Sequence, residues 1–528
     1  MPEPSDLFEY TTGRWIYNEA LRHRERKRAF NVSELKHLAA LSVQQRGEDV
    51  ACFEKLAEGG FNRSFLVTMR NGFRIVARVP YPVTEPKSLV IASEVATMDF
   101  LRSRGIPVPK IFGYSAVTDN PAGTEYIFME FAQGKSLGDI WFTLTAKERA
   151  KTVASLVGLE SRLFTLHLPA AGSIYYSNDL PDQTCRIPFP SQFSTDDSRF
   201  CIGPDTSLGS WYGKRAQLSV DRGPSALAAG AKKEIAYLTR FGRDLQPFQR
   251  LRRETYNYQA QPYREHIDNL QTYLQIAHHL IPGDNPSLSR PVIRHPDLQP
   301  DNIFVSDNLE ITGIIDWQHS VALPRFLQCG IPKSLQNYGD EISESLQTPT
   351  LPTNFGDLEE IEQYNEAELF RRRQLHYLYV KMTADMNPDH YEALTYNLST
   401  LRRRLFHHAS DPWEGDNMTL KADLVTLSRK WTEMNSEVSC PINFTDDESI
   451  ECLRLERAQA EADEQLQACQ EAIGVGNEGW VPIAQYDEAK RCGRKLKADA
   501  LDAAETDEER AFVQEHWIFD DFCEEDYM

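Results

Sequence analysis

The segment VIRHPDLQPDNIFVSDNLEITGIIDWQ, residues 292–318, is the most informative part of this 528-residue chain. Its apolar runs VIR, NIFV and ITGIID predict three short β-strands, and SDNLE predicts a hairpin turn between the last two. The loop HPDLQPDN leads into this hairpin and presents Asp297 and Asn302, while the hairpin brings Asp316 back beside Asn302. Two carboxylates and one amide are therefore expected at one end of a hairpin.

These three side chains point to chemistry that depends on a divalent cation. Carboxylate and amide oxygens suit Mg²⁺, which usually keeps several waters and shares its coordination shell with substrate phosphates. One carboxylate then remains to accept a hydroxyl proton. The alternative is a chance occurrence of this spacing in an acidic surface loop.

The pattern HxDxxxxN, filled by His295, Asp297 and Asn302, and the later IIDW with Asp316 resemble the catalytic core of a known family. That family is the aminoglycoside phosphotransferase branch of the protein-kinase-like superfamily. The resemblance implies that Asp297 is the catalytic base and that Asn302 and Asp316 hold Mg²⁺. It also implies that His295 is structural and braces the loop through hydrogen bonds.

The resemblance further implies a loop that covers the nucleotide phosphates between two strands of the first lobe. The segment AEGGFNRSF fits this position with its small residues Gly59, Gly60, Asn62 and Ser64, because small residues let backbone N–H groups approach phosphates. A plain hairpin turn is the alternative interpretation.

The strand IVARVP follows, where the family places the cation that pairs with phosphates. This chain has Arg78 there instead of the lysine of protein kinases. Arginine also neutralises phosphate and pairs with carboxylates, although its planar fork differs from an ammonium group. Glu94 lies four residues from Val90 and from Met98 on the next predicted helix, and we expect it to pair with Arg78. A surface glutamate is the alternative.

The strand YIFMEF, residues 126–131, is predicted to join the two lobes. Adenine recognition in this region uses backbone groups, and we expect the adenine to lie against Met129, Glu130, Phe131 and Ala132. A buried core strand is the alternative.

The predicted fold class is α+β, with a bilobal protein-kinase-like fold, a small β-rich N-lobe and a large helical C-lobe. An N-terminal helical extension is expected over residues 1–50, and the N-lobe with the phosphate loop and hinge over 51–132. The C-lobe is expected over 133–440, with an irregular insertion at about 171–224. An acidic helical tail is expected over 441–528.

Charge is distributed unevenly along the chain. Lys and Arg number 57 against 78 Asp and Glu, and the net charge of −21 disfavours nucleic-acid binding. Residues 446–528 hold 24 acidic and 8 basic residues, which accounts for −16 of that total. We interpret the tail as a solvated helical appendage packed on the main body, with a docking surface for a protein partner or a cationic ligand as the alternative. The basic cluster from Arg22 to Arg28 is predicted to be the solvated face of an N-terminal helix.

The nine scattered cysteines contain no CxxC pair, which predicts free thiols in a reducing compartment. No run approaches the ~18 apolar residues that a transmembrane helix needs, so none is expected. With the segments GGFNRSFLV, VARVPYP, MEFAQG and HPDLQPDNIFV, the chain also resembles the fungal group typified by Altered Inheritance of Mitochondria protein 9. This likeness implies a mitochondrial location. The chain shows no clear presequence, and a cytosolic location is the alternative.

Three hypotheses of function follow. The resemblance implies an ATP- and Mg²⁺-dependent phosphotransferase, of the aminoglycoside or choline kinase type, that acts on the hydroxyl group of a small molecule. The acidic large lobe could hold a cationic acceptor. The alternatives are a non-catalytic nucleotide-binding regulator or scaffold, favoured by Arg78, and a helical interaction protein with a coincidental hairpin.

Overall fold

The computed structural model describes residues 6–190, 195–217, 226–435 and 437–527. Over these residues the chain forms a small β-rich lobe, a larger helical lobe and a C-terminal helical extension. The predicted α+β, bilobal fold is therefore confirmed.

The first lobe is a five-stranded antiparallel sheet flanked by helices. Its elements, with the short strand that precedes the sheet, are β1 (Gly13–Trp15), β2 (Val50–Glu58), β3 (Asn62–Met69), β4 (Arg74–Pro80), β5 (Ile111–Ser115), β6 (Tyr126–Glu130), α1 (Glu19–Arg26), α2 (Val32–Ser42) and α3 (Lys87–Ser103). The strand order in the sheet is β2-β3-β4-β6-β5, and hence β4 is central.

Strand β4 shows why helices cover both faces of this sheet. Its side chains alternate between the faces, so that Ile75 joins a cluster with Leu35 of α2, while Val76 joins a cluster with Val90 of α3. Arg78 lies two residues after Val76 and therefore on the face that α3 covers. The period-two pattern of β4 thus directs one cation towards α3.

The second lobe is mainly helical, with short strands at the site. Its helices are α4 (Leu137–Ile140), α5 (Ala146–Phe164), α6 (Ala226–Phe241), α7 (Arg252–Thr255), α8 (Tyr263–Ile276), α9 (Arg325–Gln328), α10 (Glu341–Glu344), α11 (Glu360–Met386), α12 (Pro388–Thr395), α13 (Ser399–Ser410), α14 (Met418–Arg429) and α15 (Trp431–Met434). Its strands are β7 (Lys135–Ser136), β8 (Ser173–Tyr176), β9 (Ile187–Pro188), β10 (Phe200–Gly203), β11 (Pro291–Val292), β12 (Ile303–Val305), β13 (Ile311–Ile314) and β14 (Leu323–Pro324).

The predicted hairpin is formed by β12 and β13, which pair antiparallel with Ile303 opposite Ile314. Strand β7 adds to the other edge of β12, where Phe304 lies opposite Ser136. Both strands bury apolar side chains in the main core, which includes Ile303, Val305 and Ile314. The hairpin is thus anchored at the point where the two lobes meet.

The insertion predicted at about 171–224 is more regular over residues 171–190 and 195–217 than its Ser-, Pro-, Asp- and Gly-rich sequence predicts, and its other residues lie outside the described part of the chain. Strands β8, β10 and β9 form a three-stranded antiparallel sheet in that order. Each strand is two to four residues long, which is too short for an alternating pattern to stand out from the sequence.

The acidic tail consists of α16 (Asp446–Ile473), the short strand β15 (Trp480–Pro482), α17 (Tyr486–Ala503) and α18 (Asp507–Glu515). Helix α16 begins with a capping box in which Thr445 and Glu448 satisfy each other's backbone N–H groups, and it ends at Gly474 in the left-handed conformation. Strand β15 pairs antiparallel with β1, so the tail returns to the N-terminal segment.

The N-terminal basic cluster is not a solvated face, and the prediction for Arg22 to Arg28 is wrong in this respect. Arg22 and Arg26 are buried, at 6% and 8% exposure. Arg22 forms an ion pair with the buried Glu524 at 2.5 Å, and both arginines lie near Glu478. The cluster is buried because the acidic tail, more than 450 residues away in sequence, supplies its counter-charges.

All nine cysteines are free thiols. Among the helices of the described residues, none is long and apolar enough to cross a membrane.

Candidate active site

The loop that precedes β12 is braced by a buried histidine. His295 accepts a hydrogen bond from the Asp297 backbone N–H at its Nδ1 (3.1 Å), and its Nε2 lies 2.8 Å from the Ile315 carbonyl. Nε2 therefore carries the proton that bonds this carbonyl. Burial lowers the pKa of His295, which favours the neutral ring that this geometry requires.

A buried polar network fixes the start of the same loop. Arg294 donates to Glu160 of α5 at 2.6 Å and to the Tyr379 hydroxyl of α11 at 3.2 Å. The Tyr379 hydroxyl also donates to Glu160. Each charged group of the network thus has a partner, and the loop is tied to two long helices.

Asp297 and Asn302 lie at the two ends of this loop and are joined through its backbone. The Asn302 amide donates to the Asp297 carbonyl at 2.9 Å. The Asp297 carboxylate accepts from the Gln299 side chain at 2.6 Å, which fixes its orientation. The loop thus holds a carboxylate and an amide side by side, as the spacing predicts.

Asp316 follows β13 and lies near Asp297 and Asn302. The Ile315 N–H donates to the Asn302 carbonyl at 3.0 Å, so Asp316 is one residue beyond the position opposite Asn302. Asp316 has a φ of 65°, in the left-handed region that side chains other than glycine seldom adopt. Its side chain is 45% exposed and can therefore be reached from the cleft. Such strained residues are enriched at functional sites.

Arg78 links the two lobes at the site. Its guanidinium donates to Glu94 of α3, to Asp316 at 2.6 Å and to Gln318 at 2.9 Å. The Asn62 side-chain amide donates to the Gln318 side-chain oxygen at 2.5 Å, the same oxygen that accepts from Arg78. One cation therefore joins strand β4, helix α3 and the loop after β13, and Gln318 extends the network to the phosphate-loop strand β3.

The electrostatics of the site follow from this arrangement. Burial works to lower the pKa of Arg78, but Glu94 and Asp316 outweigh it and raise the value. Burial works to raise the pKa of Asp316, and Arg78 outweighs it, so the carboxylate is held in its charged form. Burial dominates at Glu94 and raises its pKa against the pull of Arg78.

The predicted phosphate loop is the turn between β2 and β3. The Gly59 N–H donates to the Asn62 carbonyl at 2.9 Å and closes the turn. A Cβ atom added at Gly60 would meet nothing within 4 Å, so the backbone there borders open space. Ser64 lies on β3 directly opposite Arg78 of β4. The four predicted residues thus lie together, but Asn62 turns towards Arg78 and Gln318 and not into the open space.

The predicted hinge residues lie at the end of β6. The Glu130 N–H is bound to the Lys110 carbonyl at 2.8 Å, and its carboxylate accepts from the Lys110 N–H at 3.1 Å. These contacts belong to the outer edge of the sheet. Ala132 lies beyond the strand, near Gly313 of β13. Ala132 therefore lies beside the β12–β13 hairpin, whereas Glu130 lies at the edge of the N-lobe sheet.

Two residues of this site escape sequence reasoning. Gln318 contacts both Asn62 and Arg78, and His319 lies 2.7 Å from the Thr206 carbonyl of the insertion and edge-on to Phe61 of the phosphate loop. The one sequence signal for Gln318 and His319 is their position directly after the IIDW motif.

Comparison with known proteins gives a family match over this region. A family described as "Phosphotransferase enzyme family" matches residues 53–326, which include the phosphate loop, Arg78, Glu94 and the whole hairpin.

Relatives match over most of the chain. A subtelomeric hrmA-associated cluster protein of Aspergillus fumigatus is 31% identical over 506 residues, covering 88% of this chain and 96% of that protein. The protein named altered inheritance of mitochondria protein 9, mitochondrial, of Saccharomyces cerevisiae is 24% identical over 499 residues, covering 85% of this chain and 76% of that protein.

Among solved structures, an ADP-bound crystal structure of the aminoglycoside phosphotransferase APH(2'')-Ib is 11% identical and covers 82% of this chain and 99% of that chain. The TM-score is 0.34, which is too low to support any statement about shared geometry.

Proposed function

The chain belongs to the phosphotransferase enzyme family, and on that premise we propose that it transfers the γ-phosphoryl group of ATP to a hydroxyl group of a small molecule. One observation carries the proposal. Asn302 donates to the Asp297 carbonyl, the Ile315 N–H donates to the Asn302 carbonyl, and the next residue, Asp316, faces an Arg78–Glu94 pair from the other lobe.

Asp297 is proposed as the group that accepts the proton of the acceptor hydroxyl. Its carboxylate needs a fixed orientation for this role, and the Gln299 side chain and the His295 brace supply it. The attacking oxygen would then be aligned before transfer, which is the main contribution of protein groups to phosphoryl transfer.

The residues present fit a bound Mg²⁺ ion and nucleotide phosphates. Asp316 and Asn302 offer the hard oxygen donors that Mg²⁺ prefers, and Asp316 is open to the cleft. When bound, the ion would neutralise charge on the phosphate oxygens. The backbone at Gly60 borders open space that phosphates would occupy, and Arg78 lies on β4 opposite Ser64 of the strand that follows this turn.

The first experiment is thermal unfolding of the purified chain with ATP, with and without Mg²⁺. A ligand at 100 times its dissociation constant stabilises the folded state by about 2.7 kcal/mol, which is readily measured. We expect a shift in melting temperature that requires Mg²⁺, followed by phosphate transfer to a member of a panel of amino alcohols and sugars. A folded sample that shows no shift with any nucleotide would contradict the proposal.

A second candidate is a non-catalytic nucleotide-binding regulator. The observation that favours it is the direct bond from Arg78 to Asp316, which occupies one oxygen of the proposed metal ligand. A regulator would bind nucleotide without Mg²⁺ and transfer no phosphate to water or to any tested hydroxyl. Binding that needs Mg²⁺, together with turnover, would exclude it.

The proposed acceptor is a small molecule, and the negative charge of the chain favours a cationic one. The proposed location is mitochondrial, because relatives in Saccharomyces cerevisiae and Yarrowia lipolytica are named as mitochondrial proteins. Cell fractionation of the tagged full-length protein tests this, and recovery in the cytosolic fraction alone would contradict it.

A further inference from the structure

Helix α3, which carries Glu94, is buried on almost every side. Residues 90–98 are all buried, although a helix that covers one face of a sheet usually exposes its outer side. The layer that covers this outer side is the insertion sheet, defined here as β8, β9 and β10.

Apolar contacts between α3 and the insertion sheet occur near the start and near the end of the helix. Ala92 packs in a cluster with Tyr175 and Cys201 of the insertion sheet. The Phe100 ring lies 5.5 Å from the Phe200 ring and 5.1 Å from the Phe189 ring, measured between centroids. Aromatic contacts of this kind hold two elements in one relative position.

The polar part of the contact is centred on Asp99. Its carboxylate accepts from the Tyr176 hydroxyl at 2.5 Å and pairs with Arg199 at 2.9 Å. At the end of the helix, Arg104 pairs with the buried Asp197. These polar contacts tie α3 to the insertion at two further points, Asp99 and Arg104.

The insertion sheet is also tied to the loop that follows Asp316. Gly172 and Ala322 exchange two backbone hydrogen bonds of 2.9 and 2.8 Å, and the Ser173 hydroxyl donates to the Ser320 carbonyl at 2.8 Å. One small sheet therefore contacts both the helix that carries Glu94 and the loop that carries Asp316.

We propose that the insertion sheet is an internal clamp that keeps α3 in the position where Glu94 meets Arg78, with Asp99 and Tyr176 as positioning residues. In kinase-like enzymes this ion pair must form before phosphoryl transfer, and movement of its helix breaks it. The clamp would keep the Glu94–Arg78 ion pair formed when no nucleotide is bound. The inference rests on the proposed function insofar as the pair serves nucleotide binding.

The test is a double-mutant cycle between Asp99→Ala and Glu94→Gln, read as the dissociation constant of Mg·ATP. Asp99→Ala alone should weaken binding roughly fivefold, because the helix is released. If the clamp acts through Glu94, Asp99→Ala should have no further effect in the Glu94→Gln background. An equal loss in both backgrounds would show a general structural role and overturn the proposal.

Two further variants keep the test interpretable. Tyr176→Phe removes one hydroxyl from a buried ring and should reproduce part of the loss even if Asp99→Ala folds poorly. Ser103→Ala is the matched control on the same helix, since the Ser103 hydroxyl donates to the Phe100 carbonyl within α3. It should bind as the unchanged protein does, and a loss equal to that of Asp99→Ala would overturn the proposal.

Hydrogen exchange of the α3 amides in the nucleotide-free protein tests the clamp separately from the proposed phosphotransferase function. Exchange at residues 93–100 should rise in Asp99→Ala and Tyr176→Phe, and no rise would overturn the clamp. If the unchanged protein binds no nucleotide, the proposed function fails, and the exchange result still decides the clamp.

Discussion

Arg78 forms hydrogen bonds with side chains from two distant parts of the chain. Glu94 and the pair Asp316 and Gln318 accept from its guanidinium, and Asn62 from a third part donates to the same Gln318 oxygen. A guanidinium has five N–H donors in a rigid plane, so it can bond several oxygens at once with fixed geometry. The departure from the lysine of protein kinases therefore gives this site a cation that also connects the lobes.

The role of Asp297 as the proposed base can be tested by substitution. Asp297→Asn should lower turnover by about 10² to 10⁴, since the amide cannot accept the hydroxyl proton. Binding of Mg·ATP should be unchanged, because the hydrogen bonds of Asp297 go to His295 and Gln299 within its own loop. Turnover and ATP affinity are measured on the same sample. The control is Asp301→Asn in the same loop, where the side chain is exposed.

Asp316 is expected to behave differently from Asp297. Asp316→Ala removes the carboxylate proposed to hold Mg²⁺ and the charge that Arg78 contacts. The Mg²⁺-dependent part of nucleotide binding and turnover should both be lost. Titration calorimetry with and without Mg²⁺ measures the first effect. Asp307→Ala, at an exposed position on the same hairpin, should change neither, and turnover that survives Asp316→Ala would refute the metal assignment.

The position of His295, Asp297, Asn302 and Asp316 could be predicted from the sequence. These residues lie close together in the chain, and the β12–β13 hairpin brings the segment before it next to the segment after it. Gln318 could not be predicted in the same way. Its partner Asn62 is 256 residues away, and no local pattern marks an amide that bonds across a domain boundary.

At the scale of elements, predictability follows length and periodicity. The 28-residue helix α16 repeats its pattern over many turns and ends at a glycine, and both features are visible in the sequence. The insertion sheet has strands of two to four residues, and its stability comes from contact with α3. A contact between distant elements has no local signature in the sequence.

Helix α8 carries a buried histidine that should make stability depend on pH. His266 is 4% exposed, and neither ring nitrogen has a hydrogen-bond partner among the described residues. Burial lowers its pKa to about 4, from 6.5 for an exposed ring. Below pH 6.5 the unfolded chain takes up a proton that the folded chain refuses, so stability should fall as the pH drops.

The expected loss from this group is about 3 kcal/mol between pH 6.5 and 4, and none above pH 6.5. Urea unfolding across this range measures it. His266→Phe, which keeps a ring beside Trp413, should flatten the dependence by about one proton. The exposed His37→Gln variant is the control. An unchanged slope in His266→Phe would show that other groups cause the acid sensitivity.

At the scale of the whole molecule, the two ends of the chain stabilise each other. Strand β1 pairs with β15, and the Asn18 side chain donates to Glu524 at 2.8 Å. The N-terminal segment in turn contacts the base of the phosphate loop, where Glu58 accepts from the Thr11 N–H at 2.7 Å. The charge excess of the tail is thus partly neutralised inside the molecule, which composition alone could not indicate.

The Arg22–Glu524 ion pair allows this arrangement to be tested. Both side chains are buried, at 7% and 5% exposure, so removal of Arg22 leaves the Glu524 carboxylate without its cation, whereas removal of Glu524 leaves Arg22 with Glu25 and Glu478. Arg22→Ala should lower the free energy of unfolding by about 3 kcal/mol, and Glu524→Ala by less. The double variant should lose less than the sum, with a coupling of about 1–3 kcal/mol. Urea unfolding of all four proteins gives the cycle.

The neighbouring residue supplies the control for this cycle. Glu525 is exposed, and Glu525→Ala removes the same charge from the tail without touching Arg22. If Glu525→Ala costs as much as Glu524→Ala, the effect comes from overall tail charge and not from the pair. If instead only Glu524→Ala couples to Arg22→Ala, the acidic tail is a structural part of the N-terminal segment. Loss of the pair should then also weaken Mg·ATP binding, because Glu58 and the phosphate loop depend on that segment.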